Sequence, residues 1–350
     1  MFAVRGLLKP GAIGVDLGTR CVRLVQCDRV HGRLLAAARA DLPATDPLPE
    51  EREALWVEGI RQARADGAFR GREAVLCLTG RELILQNVRV PAAADEATEQ
   101  MARQESAGRL PFPLDEAEIR FVEAGEVKQG DAIRKEVIVM ACPKTLLERA
   151  LAVVEAADLS PVAVDSEPLA VVRCFASQLR RDEDRRRRTL YVHVGAAKTL
   201  LVMARGEEVL FMKYLDVGGR QWDEAVSRLL NMGLADAASF RRHNGERRSE
   251  RKDPEISRTV EEAGRPVLDR LAHEVSMCLR YYSVTFRGQT MDRVVVCGGE
   301  ATENLSEEME RRLDLPSELG DPLRSFSPSA NLGRDGGWDV AVGLAMRNVG

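Results

Sequence analysis

The sequence predicts an α/β protein in which one design is used twice. Short runs rich in Val, Ile and Leu alternate with longer charged stretches of helical spacing. The stretch "AIGVDLGTRCVRLVQCDRVHGRLLAAAR" near the start and "TLYVHVGAAKTLLVMARGEEVLFMKYLDVGG" from Thr189 share an order of strand, glycine turn, strand, turn and strand, about 180 residues apart. A chain of 350 residues, 45% of them hydrophobic, is long enough for two domains of ordinary size, each with its own core. Two such turns facing each other across a cleft make a common kind of ligand site.

In the first unit Ile13, Val15 and Leu17 alternate with smaller or polar residues, and Cys21 to Cys27 form a second apolar run, so a tight Gly-Thr turn joins two strands. Gly18 has no Cβ and lets backbone N–H groups close around an anion; an ordinary hairpin uses the same geometry, and both readings stand. Residues 73–79 and 82–90 read as strands. "DEATEQMARQESAGRL" reads as a helix with Asp95 ahead of its first turn, stopped by "RLPFPLDE", where Pro111 and Pro113 fix φ. "KEVIVMACP" reads as a strand and "KTLLERALAVVEAADL" as a helix; Val162 to Val164 then lead into a helix with Pro168 in its first turn. A charged seam, "RRDEDRRRR" at 180–188, precedes the second unit.

After that unit come a helix in "GGRQWDEAVSRLLNMGL" and a polar loop, "RRHNGERRSERKDPE". A helical stretch from Glu255 to about Phe286 follows, expected to break at Gly264-Arg265-Pro266. "MDRVVVCGGEA" reads as a buried strand ending in glycines before a helix, and "GWDVAVGLAMRN" as a closing helix.

Composition removes several function classes. The 51 basic and 55 acidic side chains leave a net charge of −4, so no global field favours nucleic acid. Arg180–Arg188 and Arg241–Lys252 read as solvated linkers of mixed sign. The seven cysteines are scattered, never spaced C-x-x-C and away from the four histidines, which suits a reducing compartment. "MFAVRGLLKPG" is too short for a signal peptide, and no run approaches the ~18 apolar residues of a membrane span.

The motifs "VDLGTRCVRLV", "RQESAGRLPFPLDEAEIRF", "VDSEPLAVVR", "VHVGAAKTLLV", "DVGGRQWDEAV", "HEVSMCLRYYSV" and "VVVCGGEA", in this order, resemble the actin-like ATPase superfamily. Within it they look most like the PilM family of type IV pilus assembly proteins, itself similar to the cell-division protein FtsA. The resemblance implies duplicated actin-like, ribonuclease-H-like lobes around a nucleotide cleft. The first lobe would span 1–182 with a small inserted subdomain at about 83–157. The second would span 183–335 with a helical subdomain at about 233–274, and a closing helix in 336–350 would return to the first lobe.

Carried over position by position, the resemblance places Asp16, Gly18, Thr19, Arg20 and Arg23 at the first phosphate loop. It places Gly195, Ala196 and Thr199 at the second, and Gly298, Gly299 and Glu300 on the adenosine side. It implies ATP or ADP, with Asp16 as the residue to hold Mg²⁺ directly or through water. Three departures leave a degenerate cleft as the alternative. Arg20, Cys21 and Arg23 stand where small hydroxyl residues and a Lys are usual. His193 stands where an acid is usual, and a neutral imidazole is a poor partner for a hard cation. Glu300 stands where a third glycine is common, to bond a ribose hydroxyl or to crowd the pocket. The bland reading of His193 is a core histidine on a central strand, and that of Asp16 a turn cap.

The function implied is a cytoplasmic scaffold of a pilus or secretion machine, without efficient ATPase activity. It would reach the inner membrane through the N-terminal cytoplasmic peptide of a bitopic, PilN-like protein. That peptide is expected between the first lobe and its insertion, with "ELILQNVRV" as a strand edge and Leu110, Phe112 and Leu114 as apolar contacts. The alternatives are an active ATPase or phosphotransferase of the same fold, and an FtsA-like filament former. The latter family uses a C-terminal amphipathic helix that "DVAVGLAMRNVG" does not offer.

Overall fold

The computed structural model describes residues 9–30, 32–43, 48–129, 132–246, 253–326 and 336–347. The N-terminal stretch 1–8 and residues 247–252 of the expected polar loop lie outside them.

The chain opens with a meander of β1 (Pro10–Leu17), β2 (Cys21–Asp28) and β3 (Leu34–Asp41), followed by α1 (Pro49–Asp66) and β4 (Glu73–Leu78). Next come β5 (Ile84–Pro91), α2 (Asp95–Ser106), β6 (Ala117–Gln129) and β7 (Ala132–Pro143). Then follow α3 (Lys144–Ala156), β8 (Ser160–Ser166), α4 (Glu167–Ala176) and α5 (Asp182–Arg186). The later part has β9 (Arg188–Val194), β10 (Thr199–Arg205) and β11 (Glu208–Leu215), then α6 (Gly219–Leu230), α7 (Leu234–Glu246) and α8 (Pro254–Thr285). It closes with β12 (Arg293–Cys297), α9 (Glu303–Leu313), β13 (Ser317–Leu319) and α10 (Asp339–Ala345).

The repeated pattern becomes a repeated topology. One five-stranded sheet runs β3-β2-β1-β4-β8 and the other β11-β10-β9-β12-β13. In each, the first three strands are antiparallel neighbours and the last two join in parallel. Parallel joins bury both faces of the strands concerned, which is why Ala74 to Leu78 and Val294 to Cys297 are buried without alternation. A three-stranded sheet, β5-β7-β6, forms apart from these, with α2 and residues 110–114 packed on one face. Its other face contributes Val127, Ile138 and Met140 to the core that also holds β9 to β12.

The helix α10 lies against β1 and α4. At Gly14 an added Cβ would come within 2.7 Å of the Ala345 amide nitrogen, and at Gly343 it would collide with the Ala170 carbonyl. Bare backbone at both positions lets three elements pack in contact. Arg173 of α4 donates to the Gly343 carbonyl at 2.9 Å, and Arg347 reaches back to the Val164 carbonyl at 2.8 Å.

Two elements, α1 and β6, were not expected, and two sequence expectations change. The helix α1, unannounced because its charges interrupt the apolar stripe, buries Trp56, Ile60 and Ala63 against the first sheet. The strand β6 was hidden by interleaved Glu, Arg and Lys, which an edge strand of a small sheet tolerates. The helix α8 does not break: it runs through Pro266, losing one backbone bond. Leu271, Val275, Cys278 and Tyr282 are buried along it, and Gly264 leaves room for the Trp222 ring, so packing outweighs that loss. Finally Arg241, expected in a solvated linker, stands in α7 as a half-buried ion-pair partner, described below.

Candidate functional site

The site lies where the two five-stranded sheets face each other. Three glycine turns reach it, each for a local reason. After β1, residues 18–20 turn into β2; Trp56 of α1 fixes this turn by donating its indole N–H to the Gly18 carbonyl at 3.0 Å. Arg81, 4.9 Å above the Trp56 ring, donates to the Thr19 hydroxyl at 3.0 Å. After β9 the Gly195 N–H donates to the Lys198 carbonyl at 3.0 Å, closing the second turn. The carbonyls of Gly195 and Ala196 then accept from the first amides of α6, Gly219 and Arg220, at 3.0 and 2.8 Å. Thr199 is buried, and its hydroxyl donates to the Val217 carbonyl at 2.7 Å. After β12, Gly298 takes φ +93°, and a Cβ there would sit 2.6 Å from the Val194 carbonyl oxygen. Only glycine fits.

Two charge clusters fill the space between the turns. In the first, Asp16 and Arg23 stand opposite each other on β1 and β2, with Nη1 3.6 Å from Oδ2. The Arg23 head continues to the backbone of Gly299 and Gly337. Beside it, His193 of β9 places Nδ1 2.8 Å from Asp339 Oδ2 and Nε2 3.5 Å from Glu167 Oε1. The Tyr214 hydroxyl donates to the other oxygen of Glu167 at 2.8 Å. Burial alone would lower the His193 pKa, but the carboxylates of Asp339, Glu167 and Asp16 outweigh it and carry the imidazole up to about 9. His193 is therefore an imidazolium at neutral pH. Burial pushes Asp16 up to about 6 against the pull of Arg23, whereas His193 holds Asp339 below the usual carboxylate range against its own burial.

The second cluster is a ring. Arg20 pairs with both Asp223 of α6 and Glu300 after β12, and Arg241 of α7 pairs with the same two carboxylates at 2.7 Å each. Charges alternate around it, and the side chains are 16% (Arg20), 4% (Asp223), 15% (Arg241) and 6% (Glu300) exposed. The open question over Glu300 resolves in this structure to a partner of two guanidiniums.

The sequence-selected residues Asp16, Gly18, Thr19, Arg20, Arg23, Gly195, Ala196, Gly298, Gly299 and Glu300 thus converge on one region, with Thr199 just behind it. Asp223, Glu167, Asp339, Arg241 and Tyr214 were not selected. Glu167 and Asp223 sat inside the quoted "VDSEPLAVVR" and "DVGGRQWDEAV", and a search of those motifs for acids would have found them. The segment 110–114 lies elsewhere: Leu110, Phe112 and Leu114 are half-buried and pack on the core of the three-stranded sheet.

A divalent cation of the Mg²⁺ kind asks for several free oxygen ligands in near-octahedral array. The residues here do not fit one. Asp16 faces Arg23, Asp339 is hydrogen-bonded to His193 and to its own helix at the Val340 amide, and Glu167 accepts from Tyr214. His193, Cys297 and Asp339 do bring ligand atoms within 4.8 Å of one another. Burial pushes the Cys297 thiol well above its ordinary pKa, so it serves as a hydrogen-bond donor to Asp339 rather than as a thiolate.

Two sheets of identical strand order, three glycine turns between them and a helix that closes back on the first sheet define an actin-like ATPase fold. The chain belongs to the family described as type IV pilus assembly protein PilM, whose family model matches residues 14–349. Among solved structures it is similar to the chain in a PilM-PilN type IV pilus biogenesis complex, with a TM-score of 0.81, 24% identity, and 97% of this chain and 99% of that one covered. It is also similar to ethanolamine utilization protein EutJ from Carboxydothermus hydrogenoformans, with a TM-score of 0.59, 16% identity and coverage of 96% and 89%. A third likeness is to the MamK double helical filament, with a TM-score of 0.50, 14% identity and coverage of 96% and 98%.

Proposed function

We propose that this chain is the cytoplasmic actin-like scaffold of a type IV pilus or related secretion machine, docking the cytoplasmic tail of a PilN-like inner-membrane protein. The observation that carries the reading is family membership over nearly the whole chain. Among the described residues no helix is long and apolar enough to cross a membrane, so a place at the membrane calls for an anchored partner.

The tail would lie along the three-stranded sheet. Among the described residues β5 is an edge strand, paired with β7 alone, and edge strands recruit extended peptides through main-chain hydrogen bonds. Its Gln86 and Asn87 side-chain oxygens have no hydrogen-bond partner among the described residues. Leu110, Phe112 and Leu114 supply apolar surface on one face of the same sheet. A peptide of about ten residues, ordering as it binds, should show micromolar affinity. Fluorescence anisotropy with a labelled N-terminal peptide of the partner tests this. Phe112→Asp should weaken binding at least about tenfold, and equal recovery of the partner with residues 83–157 removed and the remainder folded would place the docking site elsewhere.

The cleft is read as an adenine-nucleotide site flanked by lobes 1–182 and 183–335, with 83–157 inserted and the closing segment 336–350 returning to the first. Asp16, Gly18, Thr19, Arg20, Arg23, Gly195, Ala196, Thr199, Gly298, Gly299 and Glu300 would surround the ligand. Support comes from the three bare-backbone turns. Turnover should be very slow, because nothing here organises both a cation and an attacking water. ATP or ADP at 100 times its dissociation constant adds about 2.7 kcal/mol to the folded state, so thermal denaturation with and without nucleotide checks the reading.

A further inference from the structure

Among the described residues the cleft carries the carboxylates Asp16, Glu167, Asp223, Glu300 and Asp339, and each faces a cationic side chain of this chain. Asp223 and Glu300 are each shared between Arg20 and Arg241. Asp16 faces Arg23 at 3.6 Å, and Glu167 and Asp339 flank His193. The three arginines come from the turn after β1, from β2 and from α7, so they approach from both sides of the cleft.

We propose that this cleft binds its anionic ligand without a divalent cation, with Arg20, Arg23 and Arg241 supplying the positive charge. The inference rests on the reading of the cleft as a nucleotide site and adds the form of the ligand: free ADP or ATP rather than the Mg²⁺ complex. Arg20 and Arg241 each carry five N–H donors in a rigid fork, more than their two carboxylate contacts use, so a phosphate can add to the Arg20–Asp223–Arg241–Glu300 ring while Asp223 and Glu300 keep their partners. A metal complex gains nothing there. Its cation would need carboxylates that already hold arginines, and each pair broken without replacement leaves a buried charge.

Removing one arginine turns the neutral ring negative. In Arg20→Gln the ring keeps two carboxylates and only Arg241, so it becomes net negative and repels phosphate until a cation is added. Arg20→Lys keeps the charge and should keep metal independence, with weaker binding because a point charge replaces a fork.

The experiment is calorimetric titration of the full chain with ADP in EDTA and in millimolar Mg²⁺, beside titration with Mn²⁺ alone. Expected are dissociation constants within about threefold in the two buffers, no heat from Mn²⁺, and at least about tenfold Mg²⁺ dependence in Arg20→Gln. ADP binding to the unaltered chain that is tenfold or more tighter with Mg²⁺, or tight Mn²⁺ binding alone, overturns the inference while leaving the nucleotide reading intact. Absence of ADP binding in both buffers overturns both. Unchanged metal independence in a folded Arg20→Gln removes Arg20 from the proposal, and if that variant does not fold, the unaltered chain and Arg20→Lys decide it.

Discussion

His193 and Asp339, 146 positions apart in the chain, meet in the cleft with Nδ1 2.8 Å from Oδ2. The contact ties the central strand of the second sheet to the helix that packs on β1. It makes the last described helix a part of the site, not merely a lid on the first sheet. It also places a cation, the imidazolium, among three acids.

The first prediction concerns pH. The folded His193 pKa is raised to about 9 from an unfolded value near 6.5, so the folded state binds more protons. Its stabilisation is fully present below about pH 6.5 and is lost as pH rises through about 9, on the order of 3 kcal/mol in all. Asp16, raised to about 6, spends its influence below this window. Urea denaturation from pH 6.5 to 9 should show a decline that His193→Gln largely removes; parallel curves for the two proteins would refute it.

Replacing His193 by Asp reverses a charge beside Asp16, Glu167 and Asp339. Breaking a buried pair costs about 3–5 kcal/mol, so the variant should melt several degrees lower in EDTA. Added Mg²⁺ should recover part of that loss, since the variant then offers free carboxylate oxygens to a hard cation. Some phosphate release from ATP is expected of the variant and not of the parent. An unchanged melting temperature in EDTA would contradict the assigned geometry.

Gly343 is a third test. Its α-carbon faces the Ala170 backbone carbonyl, which cannot rotate away as a side chain can. Gly343→Val should therefore cost at least about 2 kcal/mol by forcing α10 off α4. Denaturant midpoints measure it, and Val342→Ala, which trims a buried methyl pair without a clash, serves as the contrast.

Phe112 and Arg241 should separate the two proposed surfaces. Phe112→Asp is expected to weaken the peptide and leave ADP binding within about twofold, whereas Arg241→Glu should do the reverse. Arg241→Glu should also lower stability, since it turns a ring of alternating charges into three acids and one arginine. Loss of both ligands in either variant, with folding retained, would mean that the surfaces are coupled.

The sequence by itself determined the strands of both sheets except the three-residue β13, the glycine turns and the duplicated order, because these follow from side-chain alternation and from backbone conformations that only certain residues adopt. The resemblance to the actin-like superfamily brought Asp16, Arg20, Arg23 and Glu300 into view, because each stands at a position carried over from that superfamily's motifs. Local pattern could not say what those side chains touch. That Arg241 leaves the charge run around it to share Asp223 and Glu300 depends on where α7 packs, and α7 is placed by contacts with α6 and α8. That His193 is a cation rather than a core imidazole depends on Asp339 and Glu167, which arrive from separate helices. Helix α8 tells the same story, since Pro266 signals a break locally and long-range burial along the helix overrides it. Periodicity and turn chemistry act over a few residues and are legible in order, whereas charge pairing in a cleft is set by how two finished sheets meet, and only the tertiary structure decided that.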